Sequence, residues 1–331
     1  MAEKPIEGAT MADLTIDNIT PNAVAISTRS GNRRLDYVME RLITHIHDFA
    51  RETRLSTEEW KAGLDFLVQV GQITTDVRNE SILLSDVLGL SLLVDSIDHP
   101  KPDSSTEGSV LGPFHTHDAP EVLHGDSISS DEEGQPLFCL CTVKDRQGNP
   151  VEGVKVDVWE TDSSGFYDVQ HSDRSEPAGR AILSTDSEGK FWFKAIVPVS
   201  YPIPSDGPVG KLLTRLNRHY WRPAHMHFMF NKDGWDHLIT ALYIDPDPYL
   251  TSDAVFGVKS SLIVKLQEVS EELAAQYDIP QGMKLLTYDF VLITSDESTE
   301  LRDKNALEAL GNIFPGRKCT LVDHLPVPDL D

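Results

Sequence analysis

The chain has 331 residues, of which 53 are acidic and 29 basic, giving a formal net charge of −24. This acidic excess argues against nucleic acid or an anionic membrane as a partner, and no apolar run approaches the roughly 20 residues of a membrane-spanning helix. The N-terminal residues lack a basic segment followed by an apolar one, so the sequence predicts no secretory signal. Three scattered cysteines, Cys139, Cys141 and Cys319, cannot form a disulfide framework, which favours a reducing compartment and predicts a cytoplasmic protein.

The N-terminal third of the chain is predicted to be helical after a short arm. Residues 1–30 are polar and irregular, which is typical of a loose segment. The run LDYVMERLITHIHDFARE then has a helical apolar period, because Val38, Leu42, Ile46 and Phe49 recur on one face. We therefore expect a first helix with an apolar stripe.

Two more helices are predicted before residue 105. Ser56 and Glu59 in LSTEEW have the spacing of a capping box, which marks the start of a second helix. The run RNESILLSDVLGLSLLVDSI is apolar nearly all round, so we expect a third helix that is central or lies at a subunit contact. Residues 31–105 are therefore predicted to form a helical domain.

The helical spacing of the apolar residues ends at about residue 106. Short alternating runs are separated by turn-forming residues, and the runs are LFCLCTV, VKVDVW, FWFKAIV, HMHFMF and LITALYI. This pattern predicts a mainly β fold, with an antiparallel β-sandwich over residues 106–295. Cys139 and Cys141 alternate within the first run and are predicted to be buried structural residues. Residues 296–331 are expected to form a tail with a short helix and Pro-rich coil.

Three pairs of histidines with one residue between them are candidate metal sites. His45 and His47 lie on the first helix, where residues two apart point about 200° from each other, so they cannot share an ion. His115 and His117 lie on a loop, where their spacing does not predict whether the two side chains point the same way. The third pair, in RPAHMHFMF, lies on a predicted strand.

On that strand His225 and His227 share one face, because side chains two apart on a strand project the same way. They can form half of a metal site, or they can be surface histidines on an open sheet. No acidic residue or cysteine pair is suitably spaced to complete the site. Tyr167 and Tyr201 each lie where a strand meets a loop, and are either further ligands or ordinary packing residues.

Five motifs together resemble the intradiol ring-cleaving dioxygenases, the family of the catechol and hydroxyquinol 1,2-dioxygenases. The motifs occur in the same order and at similar spacings, and they are VLGPF, VWETDSSGFYD, VPVSYPIPSDGP, RHYWRPAHMHF and DPYLTSDAVFGVK. The resemblance extends from the helical segment to about residue 295. It implies one non-haem Fe(III) per chain, held by two tyrosinates and two histidines. On the matching positions these ligands are Tyr167, Tyr201, His225 and His227.

The resemblance also implies a reaction between an aromatic 1,2-diol and O₂. The diol binds iron through both oxygens, displaces Tyr201 and transfers a proton to it. Arg222 would stabilise the charge that develops on the ring; a structural ion pair is the alternative role for Arg222. The family further implies a homodimer through the N-terminal helices, with a lipid often bound at the contact.

The substrate pocket is expected between the iron and the helical domain. Its predicted residues are Leu83, Asp86, Leu111, Gly112, Pro113, Phe114, Arg222, Ala241 and Phe256. For Leu83 and Phe256, plain core burial is an equal alternative to substrate contact. Asp86 is an acid within an apolar helix, and burying it without a partner is costly. It is therefore either a polar contact to substrate or a paired structural acid.

Three positions depart from the pattern of the catechol-cleaving enzymes. Ala241 stands where glutamine is common, Glu160 where histidine is frequent, and Gly257 where alanine is typical. The departures favour hydroxyquinol (benzene-1,2,4-triol), cleaved to 3-hydroxy-cis,cis-muconate, the tautomer of maleylacetate. Catechol, cleaved to cis,cis-muconate, is the second candidate. A zinc hydrolase built on His225 and His227 and a non-catalytic binding module are the rival classes.

Overall fold

The computed structural model describes residues 12–75, 78–173 and 176–328, and over these residues it contains eight α-helices and thirteen β-strands. The helices are α1 Ile19–Ser27, α2 Arg33–Glu52, α3 Thr57–Ile73, α4 Glu80–Val87, α5 Leu90–Asp98, α6 Pro208–Arg215, α7 Glu271–Tyr277 and α8 Ser295–Ile313. The strands are β1 Pro136–Lys144, β2 Lys155–Trp159, β3 Arg180–Ser184, β4 Lys190–Ile196, β5 Tyr201–Pro202, β6 Trp221–Arg222, β7 His225–Asn231, β8 Leu238–Asp245, β9 Ile263–Lys265, β10 Gln267–Glu268, β11 Lys284–Val291, β12 Cys319–Val322 and β13 Leu325–Pro328. In these described ranges no helix combines the length and apolarity that a membrane crossing needs.

The chain forms two compact units, one of residues 1–66 with 299–331 and one of residues 67–298. In the first unit α1 packs on α2, and β12 and β13 form an antiparallel hairpin that also contacts α2. The expected loose arm therefore contains a helix, and the tail contains a 19-residue helix and a hairpin in place of a short helix and coil. Helix α1 and the hairpin pack against α2, and their own sequences do not show that partner.

The predicted first and second helices are present as α2 and α3. The capping box forms in both directions, since Glu59 N donates to Ser56 Oγ at 3.2 Å and Ser56 N donates to Glu59 Oε2 at 2.9 Å. The predicted third helix is instead two helices, α4 and α5. Gly89 lies between them with a φ of 75°, a left-handed conformation that ends a helix.

The second unit contains two larger sheets and the two-stranded sheet β5-β6, and all five predicted strands are present in the larger sheets as β1, β2, β4, β7 and β8. The strand orders are β10-β11-β1-β4 and β3-β2-β7-β8-β9. The prediction of antiparallel sheets is wrong for two pairings, because β1 with β11 and β8 with β9 are parallel. Alternation of side chains does not reveal strand direction. Helices also hold more of the described residues than strands do, so the fold is mixed rather than mainly β.

Both sheets contribute side chains to one apolar core. Met226, Phe228 and Phe230 of β7 are fully buried in it, and the rings of Phe228 and Phe230 contact Phe191 and Phe290 of the other sheet. Cys139 and Cys141 are buried in the same core as free thiols, as predicted. Because successive side chains on a strand alternate, the even-numbered residues of β7 fill the core, while His225 and His227 face the site described next.

Candidate metal centre

His225 and His227 lie side by side on β7 and are both buried. Their Nε2 atoms are 3.0 Å apart. His225 Nδ1 lies 2.7 Å from the Pro223 carbonyl oxygen, so this nitrogen donates and Nε2 is the unprotonated nitrogen, whose lone pair can bind a metal. Burial, reinforced by the positive charge of Arg222, lowers the pKa of His225 to about 3. Burial also lowers the pKa of His227 well below its ordinary value, so both imidazoles are neutral and can ligate a cation.

The two candidate tyrosines reach the same place from different segments. Tyr167 follows β2 at the start of a short 3₁₀ turn, and Tyr201 begins β5. Their hydroxyl oxygens are 3.2 Å apart, and their rings are nearly perpendicular with centroids 5.5 Å apart. The ring centroid of Tyr201 lies 5.4 Å from that of His225, and the centroid of Tyr167 lies 6.4 Å from that of His227. The fold therefore gathers all four residues that the sequence singled out.

This donor set fits a hard, highly charged cation such as Fe(III). Two neutral imidazoles supply lone pairs, and two phenols can supply anionic oxygen. Burial, followed by the neighbouring Tyr201, raises the pKa of the Tyr167 phenol well above its ordinary value, so its ionisation requires a strong positive charge close by. Among the described residues no three His, Cys, Asp or Glu side chains form a metal-binding group. A site that combines the two histidines with the two tyrosines is unlike ordinary zinc sites.

Arg222 lies in the centre of this group and has two sets of partners. Its Nε and Nη2 atoms donate to the two carboxylate oxygens of Asp253, at 3.0 and 3.2 Å. Its Nη1 atom lies 3.4 Å from Tyr201 Oη and 3.0 Å from His225 Nε2. The structural ion pair, which was the alternative role for Arg222, is present, and the role of Arg222 on the substrate ring stays a prediction. Sequence reasoning gave Asp253 no role, although it lies within the quoted motif DPYLTSDAVFGVK.

Two of the predicted pocket residues on α4 are deeply buried. Leu83 and Asp86 are each 2% exposed. Asp86 Oδ1 has no hydrogen-bond partner among the described residues. Burial raises the pKa of Asp86, and a side-chain hydrogen bond with Ser91 and the charge of Arg222 oppose that rise. Asp86 is therefore a buried acid with hydrogen-bonding capacity to spare.

Other predicted pocket residues lie around the tyrosine and histidine pairs. Phe114 stacks on Tyr167, with ring centroids 4.9 Å apart. Ala241 is fully buried and lies opposite His227 in the pairing of β7 with β8. A half-buried segment leads up to Phe114, and its members are Leu111, Gly112 and Pro113.

Phe256 is placed differently from the other predicted pocket residues. It is 48% exposed and has a φ of 63°, which is unusual for a residue other than glycine. Together with Arg218 and Asp253 it lines a cavity of about 480 Å³. The Arg218 guanidinium lies over its ring at 5.0 Å. Simple core burial is therefore wrong for Phe256.

The histidine pair on α2 does not converge on a common site. On α2, His45 Nε2 lies 3.0 Å from Arg41 Nη2, and His47 Nδ1 lies 2.9 Å from Thr20 Oγ1. These separate partners agree with the prediction that the two histidines point apart.

His115 has an indirect connection to the candidate centre that the sequence did not show. Its Nε2 atom lies 2.9 Å from Asp157 Oδ2, and its ring packs against Trp159 with centroids 4.7 Å apart. Trp159 in turn stacks on His227, at 4.7 Å and with the planes 3° from parallel. The pairing of β2 with β7 places these two rings opposite each other. The only sequence signal was the alternation of VKVDVW.

Comparison with known proteins shows the family to which the chain is similar. Residues 110–294 match a family model described as Dioxygenase, and residues 32–106 match one described as Catechol dioxygenase N terminus. The intradiol ring-cleavage dioxygenase hqdA of Aspergillus niger is 63% identical over 321 residues, covering 97% of each chain. The 6-chlorohydroxyquinol 1,2-dioxygenase of Cupriavidus pinatubonensis is 43% identical over 275 residues, covering 83% of this chain and 96% of that one.

A solved structure is also similar. The crystal structure of hydroxyquinol 1,2-dioxygenase from Pseudomonas putida matches with a TM-score of 0.78 and 41% identity, covering 85% of this chain and 99% of that one. The fold and these matches define an enzyme of the dioxygenase class. More narrowly, the chain belongs to the intradiol ring-cleaving dioxygenase family.

Proposed function

We propose that the protein uses Fe(III) and O₂ to cleave hydroxyquinol between its two adjacent hydroxyl-bearing carbons, giving 3-hydroxy-cis,cis-muconate, the tautomer of maleylacetate. The observation that carries the proposal is the convergence of Tyr167, Tyr201, His225 and His227 in a member of this family. These four residues would hold the Fe(III), whose chemistry would be to withdraw electron density from a bound diol and so make its ring reactive towards O₂. Two phenolates and one hydroxide would balance the charge of the iron.

The protein residues then have separate tasks. Tyr201 Oη accepts a hydrogen bond from Arg222 and lies beside Tyr167. Tyr201 would be one of the four iron ligands, and its phenolate oxygen would also act as the base that takes up a proton from the diol. Arg222 is held by Asp253 and directs Nη1 into the site, where it stabilises negative charge on the ring. Tyr167 and the histidine pair keep the iron in place.

The preference for hydroxyquinol over catechol rests on the third hydroxyl of the ring. A buried hydroxyl without a partner costs about 1–3 kcal/mol. Asp86 Oδ1 offers an unused acceptor, and the small side chain of Ala241 leaves space beside His227. Relatives named for hydroxyquinol and 6-chlorohydroxyquinol agree with this choice. Catechol remains the second candidate.

We also propose a homodimer formed through the N-terminal helices, with a lipid at the contact. In the single chain the stripe of α2 is exposed, at 40% for Val38, 49% for Leu42, 55% for Ile46 and 54% for Phe49. An apolar stripe of this length is typical of a subunit contact.

The proposed domains, 31–105 and 106–295, are close to the ranges of the two family models. The three free cysteines agree with the proposed cytoplasmic location.

Oxygen uptake by the purified, iron-loaded protein tests the proposed function. Hydroxyquinol and catechol are supplied in parallel, and oxygen consumption is compared with ring loss and with the absorbance of the product. We expect one O₂ consumed per hydroxyquinol and slower turnover of catechol. Absence of oxygen uptake with both diols, in protein that holds stoichiometric zinc, would favour the zinc hydrolase.

A further inference from the structure

The hydroxyl group of Tyr243 lies against Arg222 inside the protein. Tyr243 is fully buried on β8 and lies opposite His225 in the pairing of β7 with β8. Its Oη atom is 3.2 Å from Arg222 Nη2 and 2.9 Å from Ser109 Oγ. No sequence motif pointed to Tyr243 or to Ser109.

The direction of each hydrogen bond in this group follows from the chemistry. Arginine can only donate, so the Tyr243 oxygen accepts from Arg222. The Tyr243 hydroxyl then donates to Ser109 Oγ, and Ser109 Oγ donates to the carbonyl oxygen of Gly257 at 2.9 Å. Every hydrogen in the chain has an acceptor, and such a chain holds its members in one arrangement.

This chain constrains the part of Arg222 that points away from the candidate ligands. Asp253 binds Nε and Nη2, and Tyr243 binds Nη2 as well. With those atoms held, the planar guanidinium directs Nη1 towards Tyr201 Oη and His225 Nε2. Tyr243 therefore supports the geometry of a residue that acts on the substrate.

Gly257 provides the space that the Tyr243 hydroxyl occupies. A Cβ atom on Gly257 would lie 2.5 Å from Tyr243 Oη, and 3.0 Å from both Arg222 Nη2 and Ser109 Oγ. The backbone of Gly257 is outside the left-handed region, so alanine is acceptable there on conformational grounds. The requirement for glycine comes from the neighbouring hydroxyl.

We propose that Tyr243 is a positioning residue for Arg222, and that Gly257 is required because it leaves space for the Tyr243 hydroxyl. The inference rests on the proposed function, in which Arg222 stabilises charge on the ring. Beyond that function, we infer that the orientation of Arg222 depends on the Tyr243 hydroxyl and on the lack of a side chain at Gly257.

A double-mutant cycle tests the proposal, using Tyr243→Phe, Gly257→Ala and the two changes combined. Tyr243→Phe should lower kcat for the diol about 10-fold, with KM changed by less than about 2-fold, because the lost contact orients a group that acts in the transition state. Gly257→Ala should lower kcat further and lower the melting temperature of the iron-free protein. In the combined variant most of that additional loss should disappear, because phenylalanine lacks the oxygen that the new methyl group meets.

Tyr288→Phe is the matched control, since it removes one hydroxyl that donates to the carbonyl oxygen of Ser261, at 3.1 Å. It should leave kcat at the wild-type value. If Tyr243→Phe lowers the melting temperature but leaves kcat unchanged, Tyr243 is only structural and the proposal is wrong. If the two changes are additive in kcat and in melting temperature, the role given to Gly257 is wrong. Failure of the proposed function looks different, because the wild-type protein would then consume no oxygen with either diol.

Discussion

The Nε2 atoms of His225 and His227 lie 3.0 Å apart, and one strand supplies both side chains. The separation is short enough for both nitrogens to bind a single ion. It results from the two-residue period of a strand, which places alternate side chains on one face. On a helix, residues two positions apart point to nearly opposite sides, as His45 and His47 do on α2.

Replacing either strand histidine should remove the metal. We expect His225→Ala or His227→Ala to weaken iron binding by more than about 100-fold, since the loss of mere outer-sphere partners already costs about 10- to 100-fold. Metal analysis after dialysis against a chelator measures the effect. The double variant His45→Ala/His47→Ala is the control and should keep its iron. Loss of iron from the control would contradict the distinction between strand and helix.

Tyr167 should give the protein its colour. Phenolate bound to Fe(III) produces a charge-transfer band in the visible range, so we expect reddish protein with about one iron per chain. Tyr167→Phe removes only the oxygen, and the ring can stay stacked on Phe114. The variant should therefore remain folded while its band shifts or bleaches. Colourless wild-type protein with stoichiometric zinc would contradict the assignment.

The pair of His99 and Asp236 should make stability depend on pH. The hydrogen bond with Asp236, at 3.1 Å, raises the pKa of His99 despite partial burial. Burial opposes ionisation of Asp236, but His99 and Lys101 outweigh it and lower its pKa to about 2. Asp236 is therefore charged throughout the neutral range. A histidine with a raised folded-state pKa stabilises fully below about pH 6.5, and its contribution disappears as pH rises through the raised value.

We expect His99→Gln to cost about 1 kcal/mol at pH 5.5, and much less at pH 8.5. Denaturant unfolding of wild type and variant at the two pH values measures the difference. His124→Gln is the control, because His124 Nε2 bonds the Ser184 carbonyl oxygen at 2.9 Å instead of a carboxylate. An equal loss for His99→Gln at both pH values would show that the ion pair does not contribute.

The stripe on α2 should hold two copies of the chain together. Ile46→Glu places a charge among exposed apolar side chains, and we expect it to convert the dimer to a monomer. Light scattering after size-exclusion chromatography gives the mass directly. Leu123→Glu is the matched control, since Leu123 is 78% exposed and lies outside the N-terminal helices. A monomeric wild-type protein would contradict the proposed dimer.

Some of these features were accessible from the sequence because they are local. The capping box of Ser56 and Glu59 and the alternation of β7 depend on residues a few positions apart, and both are present in the structure. The parallel pairing of β11 with β1 depends on a strand more than 100 residues away and was missed. The contact between Arg222 on β6 and the Tyr243 hydroxyl on β8 joins residues of two different strands, so no periodic pattern in the sequence predicts it.

The substrate preference depends on Asp86, whose Oδ1 has no hydrogen-bond partner among the described residues. If this atom accepts the third hydroxyl of hydroxyquinol, the site should turn over catechol more slowly, because catechol leaves the acid unmatched. Asp86→Ala should then lower kcat/KM for hydroxyquinol about 5- to 150-fold, the equivalent of about 1–3 kcal/mol. The kcat/KM for catechol should change much less, so the difference in kcat/KM between the two substrates becomes smaller.

The control for Asp86 lies on the same helix. Glu80 is also fully buried, but its carboxylate accepts from Val209 N at 3.1 Å and pairs with Arg78 at 3.2 Å. Glu80→Ala should therefore lower the melting temperature and leave the ratio of the two kcat/KM values unchanged. The decisive measurement is that ratio in wild type and both variants. A wild-type preference for catechol would overturn the pocket argument and leave the iron site untouched. A preference for hydroxyquinol that survives Asp86→Ala unchanged would mean that another residue binds the third hydroxyl.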